Sequence, residues 1–321
     1  MIAVVIPCHR VKHHVLGVLA AIGPECNAIY VVDDACPEHT GDHVEREAHD
    51  PRIRVIRNPS NLGVGGATLA GYAAALADGA RIIVKCDGDG QMDPAMIPRL
   101  VRPIQSGEAD YTKGNRFFDL SGLDRMPKLR LLGNSLLSFL TKLSSGYWNV
   151  FDPTNGFTAI HASVARELPV DKIARGFFFE SDMLFRLGTL RAVVCDVPMP
   201  ARYGDESSNL RIARIAGLFA MKHVINTAKR IFYNYYLRNF NIASIEILVG
   251  LLLIGFGAWF GGTHWLEGIR RNVPQTSGTV MVAALPVIVG IQLLLAALSY
   301  DLQNVPRDVM HKRLAPGPDK P

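Results

Sequence analysis

The sequence predicts an α/β protein in which a mainly parallel sheet, with helices on both faces, is followed by amphipathic helices and two transmembrane helices. Three observations predict this. Strand-like runs at 3–6, 28–32, 52–56 and 81–84, of which the third partly alternates with arginine, are separated by roughly 20 to 25 residues, the spacing of β-α-β units. Residues 211–238 contain six Lys or Arg and no Asp or Glu. Two uncharged runs follow, at 247–262 and 279–299.

A proline or polar residues follow each of the four runs, where a strand is expected to end. They are Pro7, Asp33, Asp34, Asn58, Asp87 and Asp89. The carboxyl ends of parallel strands lie at one edge of a sheet, and ligands of open α/β sheets bind there. The sequence therefore predicts one ligand site at this edge.

Asp87 and Asp89 form a candidate metal site. Gly88 and Gly90 indicate that the backbone turns here, directly after a buried strand. Two carboxylates that converge on such a turn suit a hard cation, and Mg²⁺ or Mn²⁺ takes oxygen ligands and shares its shell with substrate phosphates. A solvated acidic turn is the alternative for an isolated Asp-Gly-Asp. The polar residues at the neighbouring strand ends favour the metal site.

The glycine-rich stretch 61–67 precedes a helical run at 68–77. Glycines at this position let backbone N–H groups approach either a phosphate or a neighbouring segment. The stretch lacks a Walker lysine pattern and does not match a dinucleotide fingerprint. Phosphate binding and ordinary tight packing therefore both stay open.

Four motifs in this order resemble family 2 glycosyltransferases. They are the segments 5–7, 32–37, 61–67 and 87–94. The resemblance covers about residues 1–210 and is strongest to the branch with dolichol-phosphate mannose synthase and bacterial polyprenyl-phosphate glycosyltransferases. It implies a GT-A (Rossmann-like) fold and inverting, metal-dependent transfer of a hexose from a UDP- or GDP-sugar to a polyprenyl phosphate.

The resemblance also implies roles for single residues. Asp87 and Asp89 would bind Mg²⁺ or Mn²⁺ on the donor diphosphate with Gln91 nearby, and Pro7 and Asp33 would lie against the nucleoside. The family often has an acid four residues after the proline, where this chain has Val11, so the nucleobase stays open. The candidates for donor binding are Pro7, Asp33, Asp34, Asp87, Gln91, Arg130, Asn134, Arg202 and Ser207.

Several of these candidates are basic or polar residues that suit phosphate. Arg116 lies in a segment that resembles the family's Gly-x-Arg step, and Arg130 and Asn134 are one helical turn apart. A guanidinium binds phosphate through two hydrogen bonds, although a solvated face is the alternative reading. By resemblance Arg202 would clamp the departing diphosphate. Ser207, on the same loop, is equally a candidate helix N-cap.

The candidates for catalysis are Asp89, Asp182, Glu180 and Arg116. Asp182, with Glu180 as its alternative, lies where related transferases place an acid, after the turn 152–157 that resembles the sugar-pocket turn. A hydroxyl acceptor, such as a lipid-linked saccharide or diacylglycerol, needs a base. A phosphate acceptor has a second pKa of about 6 and is already ionised at neutral pH. A non-catalytic membrane scaffold that binds nucleotide sugar is the further alternative.

The sequence predicts four segments. They are a cytosolic transferase domain at 1–209, basic juxtamembrane amphipathic helices at 210–240, two transmembrane helices with a short loop at 241–300, and a mobile cytoplasmic tail at 301–321. Basic residues beside an apolar span favour anionic lipids and cytoplasmic ends, which predicts a multi-pass protein of the cytoplasmic membrane. A membrane beside the basic segment explains its positive charge, so nucleic-acid binding is not needed to account for it. Two long uncharged runs next to this segment also argue against a buried hairpin of a soluble protein. Homo-oligomer formation stays open.

Overall fold

The computed structural model describes residues 1–118, 128–200 and 212–314, except for the side chains of residues 128–132, 134 and 212–216. The chain divides into two compact units. The first is Met1–Thr227 with Pro306–Pro321, and the second is Ala228–Val305. The first unit contains the sheet, and the second contains the long apolar helices.

The first unit is built on a seven-stranded sheet with the order β3-β2-β1-β4-β6-β5-β7. Strands β1 to β4 are parallel, β6 runs antiparallel between β4 and β5, and β7 is parallel to β5. The predicted mainly parallel sheet is confirmed, with one antiparallel strand in its middle. The strands are β1 (Ile2–Cys8), β2 (Ala28–Asp33), β3 (Ile53–Arg57), β4 (Ile82–Lys85), β5 (Tyr111–Asn115), β6 (Thr158–His161) and β7 (Val194–Pro198).

Helices lie on both faces of this sheet, as predicted. The first eight described α-helices begin in the first unit, and the last of them continues into the second unit at Ala228. They are α1 (Lys12–Ala20), α2 (Thr40–Glu47), α3 (Gly63–Ala77), α4 (Ile97–Gln105), α5 (Lys128–Ser145), α6 (Ala162–Arg166), α7 (Phe179–Leu190) and α8 (Ile212–Ile231). Val4 and Ile6 of β1 share a core with α1 and α4. Val5 points to the other face, where a Cβ added to Gly71 of α3 would lie 2.3 Å from it. Because both faces are covered, β1 is apolar along its whole length.

Helix α8 packs on α5 and α7 within the first unit. The rings of Phe219 and Phe178 lie 5.2 Å apart. A hydrogen bond of 2.8 Å joins His223 to Ser144, and one of 3.1 Å joins Asn226 to Asp182. The outward side of α8 carries the exposed apolar residues Leu218, Met221 and Val224. Within the predicted 210–240 segment, the described residues up to Thr227 thus pack on the first unit, whereas those from Ala228 belong to the second. The role of the segment at a membrane surface stays a prediction.

The last described helix of the first unit is α11 (Met310–Leu314; α9 and α10 belong to the second unit). The buried carboxylate of Asp110 accepts hydrogen bonds from the backbone N–H groups of Met310 and His311 and from Nδ1 of His311, each at 2.8 Å. The His311 ring stacks on His161 at 4.2 Å. Asp110 therefore caps the first N–H groups of α11, and the mobility expected for the tail stays a prediction.

The second unit is a hairpin of α9 (Ile242–Arg271) and α10 (Ser277–Gln303), preceded by a π-helical turn at Phe232–Arg238. The helices have 30 and 27 residues with mean hydropathies of 2.1 and 2.5, and they are long and apolar enough to cross a membrane. Their backbones approach closely, since a Cβ added to Gly257 would lie 2.6 Å from the carbonyl oxygen of Ala283. Small residues at such contacts are typical of membrane helix pairs.

A buried ion pair joins the beginning and the end of the second unit. Arg230 donates to both carboxylate oxygens of Asp301, at 2.7 and 2.9 Å, and the hydroxyl of Tyr235 donates to the same carboxylate. The bidentate geometry satisfies charges that are removed from solvent. The pair therefore fixes the end of α10 beside the segment that leads into α9.

Candidate functional site

The carboxyl ends of β1, β2 and β4 are adjacent, as the sequence predicts. Strand β1 pairs with β2 on one side and with β4 on the other. Pro7 lies opposite Val32 in this pairing, and Cys8 lies opposite Asp33. Lys85, the last residue of β4, lies opposite Val5. The residues that follow β2 and β4 therefore flank the end of β1.

Asp33 fixes the loop that follows β2. Its Oδ1 accepts a hydrogen bond from the backbone N–H of Cys36 at 2.7 Å, and its Oδ2 accepts one from Gly41 at 2.6 Å. Hydrogen bonds to a carboxylate are stronger than neutral ones, so this loop is firmly held. The predicted contact of Asp33 with a nucleoside stays a prediction. The structure adds a bracing role that the sequence analysis did not find.

The neighbouring Asp34 holds the glycine-rich stretch. Its two oxygens accept hydrogen bonds from the backbone N–H groups of Leu62 at 2.9 Å and Gly63 at 2.8 Å. Further along, the N–H of Gly65 donates to the carbonyl oxygen of Arg175 at 2.7 Å, and a Cβ added to Gly65 would lie 2.9 Å from that oxygen. The structure shows tight packing of this stretch against the segment before α7, and phosphate binding stays a prediction.

Asp87 is bound by a buried lysine that the sequence analysis did not single out. The ammonium of Lys85, 1% exposed, donates to Oδ1 of Asp87 at 2.7 Å, to the carbonyl oxygen of Gly156 at 3.3 Å and to Oε1 of Glu180 at 3.3 Å. Burial by itself lowers the pKa of Lys85, but the two carboxylates outweigh it and the pKa is raised. The charged lysine therefore joins the candidate metal ligand to a candidate catalytic acid. The sequence contained one signal of this contact, a lysine directly after the apolar residues 82–84, because a buried lysine needs a charged or polar partner.

A second buried lysine lies beside the first. Lys85 in β4 and Lys113 in β5 are both paired with Thr158 of β6, so their side chains are on the same face of the sheet. Lys113 donates to the carbonyl oxygen of Asn155. Burial lowers the pKa of Lys113 to about 8, although nearby carboxylates act in the opposite direction. Two ammonium groups thus hold the consecutive carbonyls of Asn155 and Gly156 in the turn 152–157.

Arg116 holds the other end of this turn. Its Nε donates to Oδ2 of Asp152 at 2.7 Å, and a terminal nitrogen donates to Oδ1 at 3.0 Å. Asp152 is fully buried, so this bidentate pair anchors the beginning of the turn. The predicted phosphate contact of Arg116 stays a prediction, since the structure shows its guanidinium on a carboxylate of the protein.

Glu180 and Asp182 occupy different environments on α7. The carboxylate of Asp182, 6% exposed, accepts hydrogen bonds from the backbone N–H of Ala174 at 2.8 Å and from Asn226 at 3.1 Å. The side chain of Glu180 is 14% exposed and contacts Lys85. Residues two apart on a helix point in nearly opposite directions. The geometry therefore favours Glu180, the alternative in the sequence analysis, as the acid joined to Asp87.

The acidic turn after β4 fits a divalent cation that is shared with a substrate. The Asp87 side chain is 27% exposed, and Oδ1 of Asp89 accepts a hydrogen bond from the backbone N–H of Gln91 at 3.0 Å. Within the described residues, no group of three or more His, Cys, Asp or Glu side chains could hold a metal ion. The protein would thus supply few carboxylate oxygens, and phosphate oxygens and water would complete the shell. Mg²⁺ is commonly bound in this way.

Four donor-site candidates have no described side chain. Arg130 and Asn134 belong to α5, but their side chains lie outside the described residues. Arg202 and Ser207 also lie outside the described residues. Their predicted phosphate contacts stay predictions.

Comparison with known proteins agrees with this architecture. The model of the family described as "Glycosyl transferase family 2" matches residues 3–168. An undecaprenyl-phosphate mannosyltransferase of Micrococcus luteus is 33% identical over 186 residues, which are 57% of this chain and 75% of the relative. A polyprenol monophosphomannose synthase of Mycolicibacterium smegmatis is 26% identical over 201 residues, 61% of this chain and 75% of the relative.

A solved structure shares the fold. Glucosyl-3-phosphoglycerate synthase from Mycobacterium tuberculosis, in complex with Mn²⁺, UDP and phosphoglyceric acid, superposes with a TM-score of 0.55 and 19% identity. The match covers 72% of this chain and 78% of that chain. The expected GT-A fold is thereby confirmed.

Proposed function

The chain belongs to glycosyl transferase family 2, and on this premise we propose that it transfers a hexose from a nucleoside-diphosphate sugar to a polyprenyl phosphate, with inversion at the anomeric carbon. The chain is a glycosyltransferase. The relatives from Micrococcus luteus and Mycolicibacterium smegmatis are named for sugar transfer to undecaprenyl phosphate and polyprenol, which supports this acceptor class. The donor is a UDP- or GDP-hexose.

The observation that carries the proposal is the contact of the acidic turn with the turn 152–157. Lys85 binds Asp87 and the carbonyl of Gly156 with one ammonium. Asp87 and Asp89 would hold Mg²⁺ or Mn²⁺ with the donor diphosphate, where such an ion, when bound, stabilises the charge of the leaving group. The solved synthase contains Mn²⁺ with UDP, which supports a metal of this kind. The sugar of the donor would then lie at the turn 152–157.

The acceptor phosphate needs no strong base in this reaction. Its oxygen attacks the anomeric carbon while the bond to the nucleoside diphosphate breaks, and the diphosphate leaves with the electron pair. With a second pKa of about 6, the phosphate is already ionised at neutral pH. Glu180 is hydrogen-bonded to Lys85, so we assign it an orienting role towards the sugar and not proton removal.

Helices α9 and α10 supply the membrane anchor for a lipid acceptor. Both ends of the hairpin connect to the first unit, so two crossings return the chain to the side from which it started. The six basic residues at 211–238 favour the cytoplasmic side. We therefore place the protein in the cytoplasmic membrane with its sheet unit in the cytosol. Helices of the 210–240 segment would lie on the membrane surface.

The test is direct reconstitution. Purified protein is incubated with undecaprenyl phosphate, a panel of UDP- and GDP-sugars and Mg²⁺ or Mn²⁺, and mass spectrometry identifies any glycolipid. We expect a hexosyl phosphate lipid with one donor, its loss in Asp89→Ala, and full activity in Asp171→Ala, which changes an exposed acid. Transfer to diacylglycerol in place of the phosphate, or full turnover in Asp89→Ala, would overturn the proposal.

A further inference from the structure

We propose that Lys85 makes divalent-cation binding at Asp87 conditional on the donor diphosphate. Its ammonium is hydrogen-bonded to Asp87 and lowers the affinity of this carboxylate for a cation that arrives alone. A cation that arrives with a diphosphate brings compensating negative charge and is accepted. This inference rests on the proposed function, in which Asp87 binds the metal of the donor.

The structure holds the ammonium beside Asp87. Lys85 is the last residue of β4 and is paired on both sides, with Val5 of β1 and with Thr158 of β6. An ammonium has three N–H donors, and the three acceptors of Lys85 lie on Asp87, Gly156 and Glu180. Only 1% of the Lys85 side chain is exposed, so these three acceptors, and not bulk water, hold its charge.

Gly156 packs closely against both Lys85 and Asp87. A Cβ added to Gly156 would lie 2.5 Å from Nζ of Lys85 and 2.6 Å from Oδ2 of Asp87. Both oxygens of Asp87 are therefore enclosed on their inner side. A cation can approach this carboxylate only from its exposed side, at a distance of a few ångströms from the ammonium. At such distances in a partly buried site, the repulsion between a monovalent and a divalent charge is large enough to control binding.

The diphosphate removes this barrier. A nucleoside diphosphate carries more than one negative charge, and metal ions in nucleotide sites bridge its oxygens. The complex of cation and diphosphate is therefore neutral or negative, so Lys85 does not repel its net charge and attracts its phosphate oxygens. The same lysine thus disfavours the free ion and favours the donor complex.

Lys113 provides a matched control within the same sheet. It is buried on the same face, one strand beyond β6, but its ammonium donates to the carbonyl oxygen of Asn155 and not to Oδ1 of Asp87. Removal of its charge tests the general effect of a lost buried lysine. Only removal of Lys85 takes away the cation that is hydrogen-bonded to Asp87.

The experiment measures Mn²⁺ binding by electron paramagnetic resonance on the intact, detergent-solubilised protein, without nucleotide and then with saturating UDP or GDP. We expect Lys85→Gln to bind Mn²⁺ alone at least tenfold more tightly than the wild type. The enhancement of Mn²⁺ affinity by nucleotide should shrink by a similar factor. Lys113→Gln, which removes a buried ammonium that holds the neighbouring turn but is not hydrogen-bonded to Asp87, should not reproduce the tenfold increase. A residue with a merely structural role would leave Mn²⁺ affinity unchanged or weaken it.

Equal or weaker binding of Mn²⁺ alone by folded Lys85→Gln overturns the inference. If this variant does not fold, because two acids lose their shared cation, Lys85→Gln/Glu180→Gln is compared with Glu180→Gln, and the same tenfold increase is required. The readout contains no acceptor and no turnover. A failure to form glycolipid therefore overturns the proposed function alone, whereas unchanged Mn²⁺ affinity overturns the role of Lys85 alone.

Discussion

Gly156 is the position where a single methyl group should disturb the candidate site most directly. In Gly156→Ala the new Cβ would lie 2.5 Å from Nζ of Lys85, 2.6 Å from Oδ2 of Asp87 and 3.1 Å from Cε of Met92. Ordinary van der Waals contact begins near 3.4 Å. Lys85 and Asp87 must therefore move by roughly 0.8–0.9 Å, or the turn 152–157 must retreat by a similar distance.

The expected size of the effect follows from this displacement. Overpacking of a well-packed site costs about 1–3 kcal/mol, which corresponds to a decrease of about 2–12 °C in Tm for a unit of this size. A misplacement near 1 Å costs about 100-fold in rate. We expect kcat for hexose transfer to decrease by about 10- to 100-fold in Gly156→Ala, with a weaker affinity for the nucleotide in the presence of Mn²⁺.

The assay is glycolipid formation at saturating donor, with thermal unfolding measured on the same preparations. Gly17→Ala is the matched control, because a Cβ at this position of α1 meets nothing within 4 Å. It should retain wild-type kcat. A Gly156→Ala protein with wild-type kcat and wild-type nucleotide affinity would refute the close approach of this turn to Asp87.

Three further predictions follow from the structure. Glu180→Gln should reduce transfer to polyprenyl phosphate by no more than about tenfold, and a loss of about 10²- to 10⁴-fold in a folded variant would instead identify a general base and a hydroxyl acceptor. Burial lowers the pKa of His223 in the folded protein to about 4. As the pH falls from about 6.5 to about 4, the unfolded chain therefore binds the proton first, and the folded state loses stability. Thermal unfolding should show this acid sensitivity in the wild type and less of it in His223→Gln. Asp301→Ala should destabilise the detergent-solubilised protein by about 3–5 kcal/mol, since it removes one partner of a buried ion pair. The exchanged pair Arg230→Asp/Asp301→Arg should recover part of that loss. Equal melting temperatures of Asp301→Ala and the wild type would contradict this role.

Much of the fold could be predicted because buried strands are recognisable by local pattern. The runs at 3–6, 28–32 and 81–84 correspond to β1, β2 and β4, since a strand covered on both faces is nearly continuously apolar. The run at 52–56, where arginines alternate with apolar residues, corresponds to the partly exposed β3. Strand β5 could not be found in this way, because Lys113 and Asn115 interrupt its pattern and yet are buried. Helix α3 begins at Gly63 and not at Thr68, because Asp34 and a distant carbonyl bind its first N–H groups.

The candidate site was predicted in its position but not in its contacts. The strand ends brought Pro7, Asp33 and Asp87 to one edge, because parallel strands share the direction of their carboxyl ends. The preference for Asp182 over Glu180 gains no support from the geometry. Sequence alone does not show which side of α7 faces the sheet.

The sequence by itself determined the strand ends, the acidic turn, the two long apolar runs and the basic segment before them, since each depends on neighbouring residues alone. The tertiary structure decided that Lys85 lies between Asp87 and Glu180 and that α11 binds Asp110. These contacts join residues that are 95 and about 200 positions apart in the chain. Buried charges must find partners wherever the fold brings them together, and no local pattern states which partner that will be.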